Sequence, residues 1–544
     1  MRCGKILVLC LSFVMAASFA AADDELPSTG KTGHAVLEPQ KAESPVPNSS
    51  MSFADQETID AVRARWERLR KTINRPHRHR PLESDGKALP AAPWMPPTSL
   101  GLPDKVDADA FEIRTNTNPT TAAPIGFAST VPEPSVAAGH DYVFYTANWW
   151  AAASTDGGAL WTYVNPYTGP FAEPPGQSFC CDQQAIYEPG SESVIWLQQL
   201  IPTSSTDNGT QRLNVDLDAD GTWDCNYDVN PQILGFANAS FPDFPDLALS
   251  DQYLYMTSNV FSSLTSSFLG AFVVRLNLAN VVNCQPASFD YYSDVSFGAF
   301  RLTQGASSIM YFADLETLSS IRVWTWPDAN LAPTFVTRAV TAFLNTARSC
   351  PGPDARDWCG FIDARIQGAA VAGDLVAFFW VPSQNPGAGF PYPYTQGVVL
   401  DAALGLAVDS EPLIWSSSIA WVYPSAAANA AGGFGGTIMA GGGALYPSCV
   451  AWLADAANGF TFGPLENSLV ILGSSGPSSN RSGDYLTTRV YHPYDQAYAS
   501  TCFAYPTPSA SEDHFVLFGR LGAFPIFTDG FESGNTSAWS STVP

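Results

Sequence analysis

The stretch Asp216-Leu217-Asp218-Ala219-Asp220-Gly221-Thr222-Trp223-Asp224 spaces its carboxylates as D-x-D-x-D-G-x-x-D. A hard divalent cation takes about six to eight oxygen ligands, and alternating carboxylates on a tight loop supply them. Gly221 permits the sharp turn after the third Asp, and the carbonyl of Thr222 extends the ligand set. The spacing predicts a structural calcium ion held by the side chains of Asp216, Asp218, Asp220 and Asp224 and the carbonyl of Thr222. An acidic surface turn is the competing reading, because Asp and Gly populate turns readily.

A second group is set by residue type more than by spacing. Asp182, Asp243 and Asp246 stand at the starts of apolar runs, Tyr485 follows Asp484, and Arg301, Arg322, Arg365 and Arg489 are scattered among similar runs. Two carboxylates facing one cleft permit acid/base cleavage of a glycosidic bond. The catalytic candidates are therefore Asp182, Asp246, Arg365, Asp484, Tyr485 and Arg489. Arg–Asp pairs that merely close the fold are the favoured alternative in a body with so few arginines. No G-x-S-x-G, H-E-x-x-H or phosphate-binding loop occurs, and His34, His140, His492 and His514 stand singly.

The elements that must position these residues are short strands. From about residue 131 to 524, β-branched and aromatic runs alternate with Gly, Pro, Asn and Asp turns, which is an all-β pattern. A run of small or apolar residues, a turn and an aromatic-rich run recur together. Ser135-Val136-Ala137-Ala138-Gly139 leads into Tyr142-Val143-Phe144-Tyr145, and similar pairs start at Asp182, Pro245, Arg365 and Gly483, with fainter ones near Phe300 and Tyr423. Recurrence at a fixed scale marks a repeat architecture. Small residues suit strands crowded around a central channel, so the expected fold is a β-propeller, with seven blades favoured over six.

The flanks differ from this body. Arg2 and Lys5, an apolar run and Ala20-Ala21-Ala22 make residues 1–22 a signal peptide rather than a membrane span. Residues 23–105 read as an arm. It begins with a disordered, Pro/Ser-rich stretch over 23–51, continues as a helix over 52–73 with a basic end, and finishes in a Pro-rich linker. The propeller occupies 106–524 and a short tail 525–544. Export implies disulfides among the eight remaining cysteines. Cys350 with Cys359 is the best local pair and Cys449 with Cys502 the residual one. Adjacent Cys180 and Cys181 are expected to bond to different partners, Cys225 and Cys284. After residue 105 the chain has twelve arginines, no lysine and 39 acidic residues. Such a surface repels nucleic acid and anionic lipid.

Ser154-Thr155-Asp156-Gly157-Gly158-Ala159-Leu160-Trp161 matches S-x-D-x-G-x-x-W. It resembles the Asp-box of sialidase-type propellers, a structural turn that lies away from their active sites. The Asp216–Asp224 loop is similar to the calcium hairpin of integrin-like propellers. Residues 131–524 thus resemble sialidase-like secreted bacterial propellers of unassigned role. A sialidase holds its substrate's carboxylate with three arginines and uses a Tyr paired with a Glu and an acidic Asp. The Phe/Tyr-Arg-Ile-Pro segment that opens that site is absent here. The resulting expectation is an exported, calcium-stabilised propeller that binds a glycan or a protein at one channel mouth. The alternative is a carbohydrate-active enzyme, either a glycoside hydrolase or a polysaccharide lyase, with its site at the same channel.

Overall fold

A computed structural model describes residues 30–41, 82, 111–123, 131–460, 465–479 and 481–524. The signal peptide, the helix over 52–73, the Pro-rich linker and the tail lie outside these residues.

Seven antiparallel sheets succeed one another along the chain. Their first strands are Ser135–Gly139, Gln177–Glu188, Ser240–Leu249, Arg301–Leu302, Ile366–Ala372, the pair Ala420–Val422 and Ala427–Ala428, and Thr488–Tyr491. These strands contact their neighbours all the way round, and the seventh meets the first. Parallel bridges between Gly139 and His492 and between Gln304 and Ala370 show that they run in one direction. The molecule is a seven-bladed propeller, and each recurring small-then-aromatic pair is the inner half of a blade.

The small residues sit where space is least. Val136, Ala137 and Ala138 in blade 1, Ala369 and Ala370 in blade 5, and Ala427 and Ala428 in blade 6 are buried around the axis. The next strand outward carries the bulk that fills the gaps between blades. Phe144 of blade 1 meets Trp196 and Trp223 of blade 2, and Tyr292 of blade 3 meets Phe312 and Trp324 of blade 4. Aromatic pairs of this kind add about 0.5–1.5 kcal/mol each beyond their buried area.

Strand Phe111–Thr117 closes the ring by pairing with Ala510–Arg520 of blade 7. Trp161 seals the joint. Its Nε1 donates to Thr117 Oγ1 at 3.2 Å, and its ring packs edge-on against Phe515.

Two expectations change. Part of the stretch over 23–51 is ordered. Lys31–Leu37 adds a fifth strand to the edge of blade 3, and Gln40–Lys41 adds one to blade 2. Ala35 and Leu37 pack on the core between those blades, and pairing covers two open edges. The polar composition reflects an edge strand, half of which faces solvent. The second change concerns disulfides. Cys350–Cys359 and Cys449–Cys502 form, but Cys180 bonds to its neighbour Cys181, and Cys225 bonds to Cys284. A bulge at the start of blade 2 turns the two adjacent side chains toward each other.

The Ser154–Trp161 turn yields a stability test. A Cβ on Gly158, at φ +89°, falls 2.6 Å from the Phe515 ring, whereas one on Gly157, at φ +69°, meets nothing within 4 Å. Gly158→Ala is expected to cost about 2–4 kcal/mol and Gly157→Ala about 1 kcal/mol. Thermal unfolding of the two variants checks the difference, and equal losses would mean that the joint between blades 1 and 7 is loose.

Candidate functional site

Because all first strands run the same way, their leading residues meet at one end of the axis. Glu133, Asp182, Asp243, Asp246, Arg301, Arg365, Asp484 and Tyr485 all lie at or just before a first strand. The structure therefore gathers the catalytic candidates at one mouth. Asp182, Arg365, Asp484 and Tyr485 share one cluster, while Asp246 and Arg489 lie beneath it.

Two buried carboxyls form its base. Glu133 and Asp182 hydrogen-bond to each other. Asp182 Oδ2 accepts the Phe244 N–H at 3.1 Å, and Glu133 Oε2 accepts from Asn148 Nδ2 at 2.7 Å. Burial first, then the charges of Glu133 and Asp243, holds the Asp182 carboxyl well above the usual carboxylate range. Burial also raises Glu133, although Arg481 pulls it back. Both carboxyls are therefore pushed toward their protonated forms, Asp182 the further. Glu133 sits at φ +44°, and Gly483 leaves room for it, since a Cβ there would come within 3.0 Å of its Cγ.

The guanidinium groups above this pair are already engaged. Arg365 meets Asp363 at 2.6 Å and Asp484 at 3.5 Å. Arg481 meets Glu133 at 3.1 Å and Asp484 at 3.2 Å. Burial disfavours both cations, but the neighbouring carboxylates outweigh it and raise both pKa values. Arg365 also covers the Phe244 ring, with its guanidinium carbon 4.4 Å from the ring centre. Phe361, 38% exposed, marks the outer lip near Arg481.

Beneath lies the floor. The Tyr485 hydroxyl accepts the Gln183 N–H and donates to the Gln183 carbonyl, both at 3.1 Å. The phenol is fully buried with Phe244 and Ala299, and burial together with Asp182 keeps its pKa well above 10. Tyr485 is thus a cross-axis tie rather than an exposed nucleophile. Arg301 pairs with Asp246 at 3.4 Å. Arg489 donates to Gln184 Oε1 at 3.1 Å and to the Ala185 carbonyl, and burial lowers its pKa to about 10. Arg322 is not part of the mouth. It pairs with Glu316 and lies between the Phe297 and Phe335 rings.

Glu133, Arg481 and Asp363 were missed from sequence. Aligning the recurring units supplies a signal for the first, because Glu133, Asp182, Asp246 and Asp484 all stand beside a unit's start.

The acidic loop lies elsewhere, on the outer hairpin of blade 2 between Thr210–Asp216 and Cys225–Val229. Carboxylate oxygens of Asp216, Asp218 and Asp220 lie within 4.8 Å of one another. This hard donor set fits a calcium ion. Asp224 Oδ2 accepts the Leu217 N–H at 3.0 Å, and the Thr222 N–H donates to Asp220 Oδ1. Burial first, then Asp220 and Asp218, pushes the Asp216 carboxyl up to about 7 against the pull of the Gly221 N–H.

No protein-family description and no curated protein matches the chain. Several solved structures are similar. The α-L-arabinofuranosidase Arb93A from Fusarium graminearum is 11% identical over 75% of this chain and 98% of that one, with a TM-score of 0.34. AofleA from Arthrobotrys oligospora is 9% identical over 67% and 91%, at 0.32. Trypanosoma rangeli sialidase is 9% identical over 64% and 55%, at 0.32. At such identities and scores these likenesses say nothing about the activity of this chain.

The buried pair makes stability depend on pH. The folded pKa of Asp182 is raised, so the unfolded chain ionises first as pH climbs above about 4, and stability falls toward alkaline pH. Asp182→Asn keeps an acceptor for the Phe244 N–H and removes the titration. It is expected to raise stability at pH 8 by roughly 1–3 kcal/mol and to change little at pH 4. Melting curves at both pH values check this, and an equal effect at each would show that Asp182 is not protonated in the fold.

Proposed function

We propose that this protein is an exported binding module that takes a neutral glycan at the axial mouth. The observation that carries the reading is the balance of charge there. Arg365 and Arg481 each lie against two carboxylates, so neither of these two rim guanidinium groups is left without a counter-charge. Asp243, Asp363 and Asp484 remain partly exposed acceptors at the rim. Carboxylates held by guanidinium groups accept hydroxyl hydrogens strongly and in fixed directions. A sugar presents such hydroxyls without the desolvation cost of a charged group. Export is supported by four disulfides, which persist in oxidising compartments.

A hydrolytic reading has one observation in its favour, a carboxyl at Asp182 that burial holds well above the usual carboxylate range. Its partner Glu133 is hydrogen-bonded to it, however, and glycosidase carboxyls stand about 5 Å or more apart with the sugar between them. Tyr485, bound to Gln183, offers no substitute. Binding is therefore the better reading.

On an array of neutral and anionic glycans, the mature protein is expected to retain neutral sugars and leave them intact. Asp363→Asn is expected to weaken that binding by about tenfold, the worth of one charge-assisted hydrogen bond. Shortened sugars recovered from the array would instead establish hydrolysis.

The Asp216–Asp220 loop is proposed to hold a structural calcium ion, with Thr222 and Asp224 completing its shell. Calcium at about a hundred times its dissociation constant should add about 2.7 kcal/mol of stability. Chelation is expected to lower the melting temperature of the wild type and to leave Asp218→Ala unchanged. Insensitivity of the wild type to chelator would leave the loop as a turn only.

A further inference from the structure

The bond between Cys180 and Cys181 ties two neighbours into one small ring, and it stands directly before Asp182. Such a ring adds nothing to long-range stapling, because it closes no loop of chain. Its place at the mouth therefore calls for another explanation. Cys181 has φ +34°, a conformation that is costly for a residue with a side chain. Strained backbone held by its surroundings clusters at binding sites.

Cys180 is buried on Ile201, Phe241 and Phe261, while Cys181, Trp149 and Phe268 pack around the same group and remain partly exposed. Trp149 is also strained, at φ +82°, in the turn between two strands of blade 1. One amide joins this apolar group to the acids. Gln199 Nε2 donates to Asp243 Oδ1 at 3.0 Å and lies 3.7 Å from Cys181 Sγ. The sulfur and the rim carboxylate are thus set side by side.

We propose that Trp149, the Cys180–Cys181 disulfide and Phe268 form an apolar ledge against which one face of a sugar ring lies while its hydroxyls reach Asp243. This rests on the glycan reading given above and deepens it. A sugar ring has C–H groups on its faces and hydroxyls around its edge. A rigid, polarisable surface meeting a row of acceptors suits both at once. The disulfide contributes rigidity as well. It locks Cys180 to Cys181 immediately before Asp182.

The test uses the mature protein and a panel of neutral hexose and pentose oligosaccharides, with affinity measured by calorimetry and contacts by saturation-transfer NMR. Three variants are compared with the wild type: Trp149→Ala, Cys180→Ser combined with Cys181→Ser, and Asp363→Asn. The ledge predicts at least a tenfold loss of affinity in the first two. It also predicts strong saturation of ring C–H protons in the wild type that fades in Trp149→Ala relative to the other protons of the same sugar, a change of pattern that a general loss of stability would not give. Should the double serine variant fail to fold, Trp149→Ala carries the test. Wild-type-like affinity in Trp149→Ala, with Asp363→Asn weakened, would overturn the ledge and leave the glycan mouth standing. Absence of binding by the wild type to every sugar would overturn the reading on which it rests.

Discussion

A ring of sheets depends on its last joint, and here strands from opposite ends of the propeller make it. Phe111–Thr117 hydrogen-bonds to Ala510–Arg520, and Thr120 Oγ1 accepts the Asp513 N–H across 393 residues of sequence. The entropic cost of closing so long a loop grows only logarithmically and is about 5 kcal/mol. The strand ladder, the stacked Phe111 and Phe518 rings and the Trp161 seal act against it together. Without that closure the two end blades would each leave a face uncovered.

Closure also dictates chemistry. It forces seven parallel strands to begin at one end of a narrow axis, where backbone groups and leading side chains are removed from water. Uncompensated polar groups there would be expensive. Five of the twelve arginines after residue 105 lie in this zone, namely Arg301, Arg348, Arg365, Arg481 and Arg489. They face Glu133, Asp182, Asp246, Asp363 and Asp484. The deeper pairs, such as Arg301 with Asp246, serve packing alone. Asp363 and Asp484, nearer solvent, compensate Arg365 and still present carboxylate oxygens at the rim. Structural ion pairs are the favoured expectation from sequence, and the structure places the Arg301–Asp246 pair deep in the floor and the Arg365 and Arg481 pairs nearer the rim.

The fold was legible because its cause is local. Small residues on the first strand and aromatics on the second follow from the taper of a blade, so Val136-Ala137-Ala138 and Val143-Phe144-Tyr145 carry the architecture in their own composition. The mouth was half legible for the same reason, since Asp182, Asp246 and Asp484 occupy equivalent places in their units. What stayed hidden depends on approach between distant segments. Nothing in Arg481 announces that Glu133 stands 3.1 Å away, 348 residues earlier. Nothing in the phenol of Tyr485 announces that the Gln183 backbone will occupy it. The Cys180–Cys181 bond was hidden by a different circumstance, a bulge and a positive φ that local propensity disfavours.

The two outer hairpins of blades 1 and 2 bring these threads together. Ser154 and Asp216 each end the third strand of a blade, and seven positions later Trp161 and Trp223 each pack back on the preceding blade. Ser154 Oγ accepts the Gly158 N–H at 2.9 Å, and Asp216 Oδ2 accepts the Gly221 N–H at the same distance. The acidic loop is therefore a version of the same turn in which a carboxylate replaces the hydroxyl. In blade 1 the second acid, Asp156, is neutralised in place by the N–H groups of Ala159 and Leu160. In blade 2 three carboxylates crowd together instead, a repulsion that a bound cation would relieve. A turn that blades 1 and 2 both use for packing has in blade 2 acquired a surplus of charge, and that surplus, rather than the turn, is what suggests a metal.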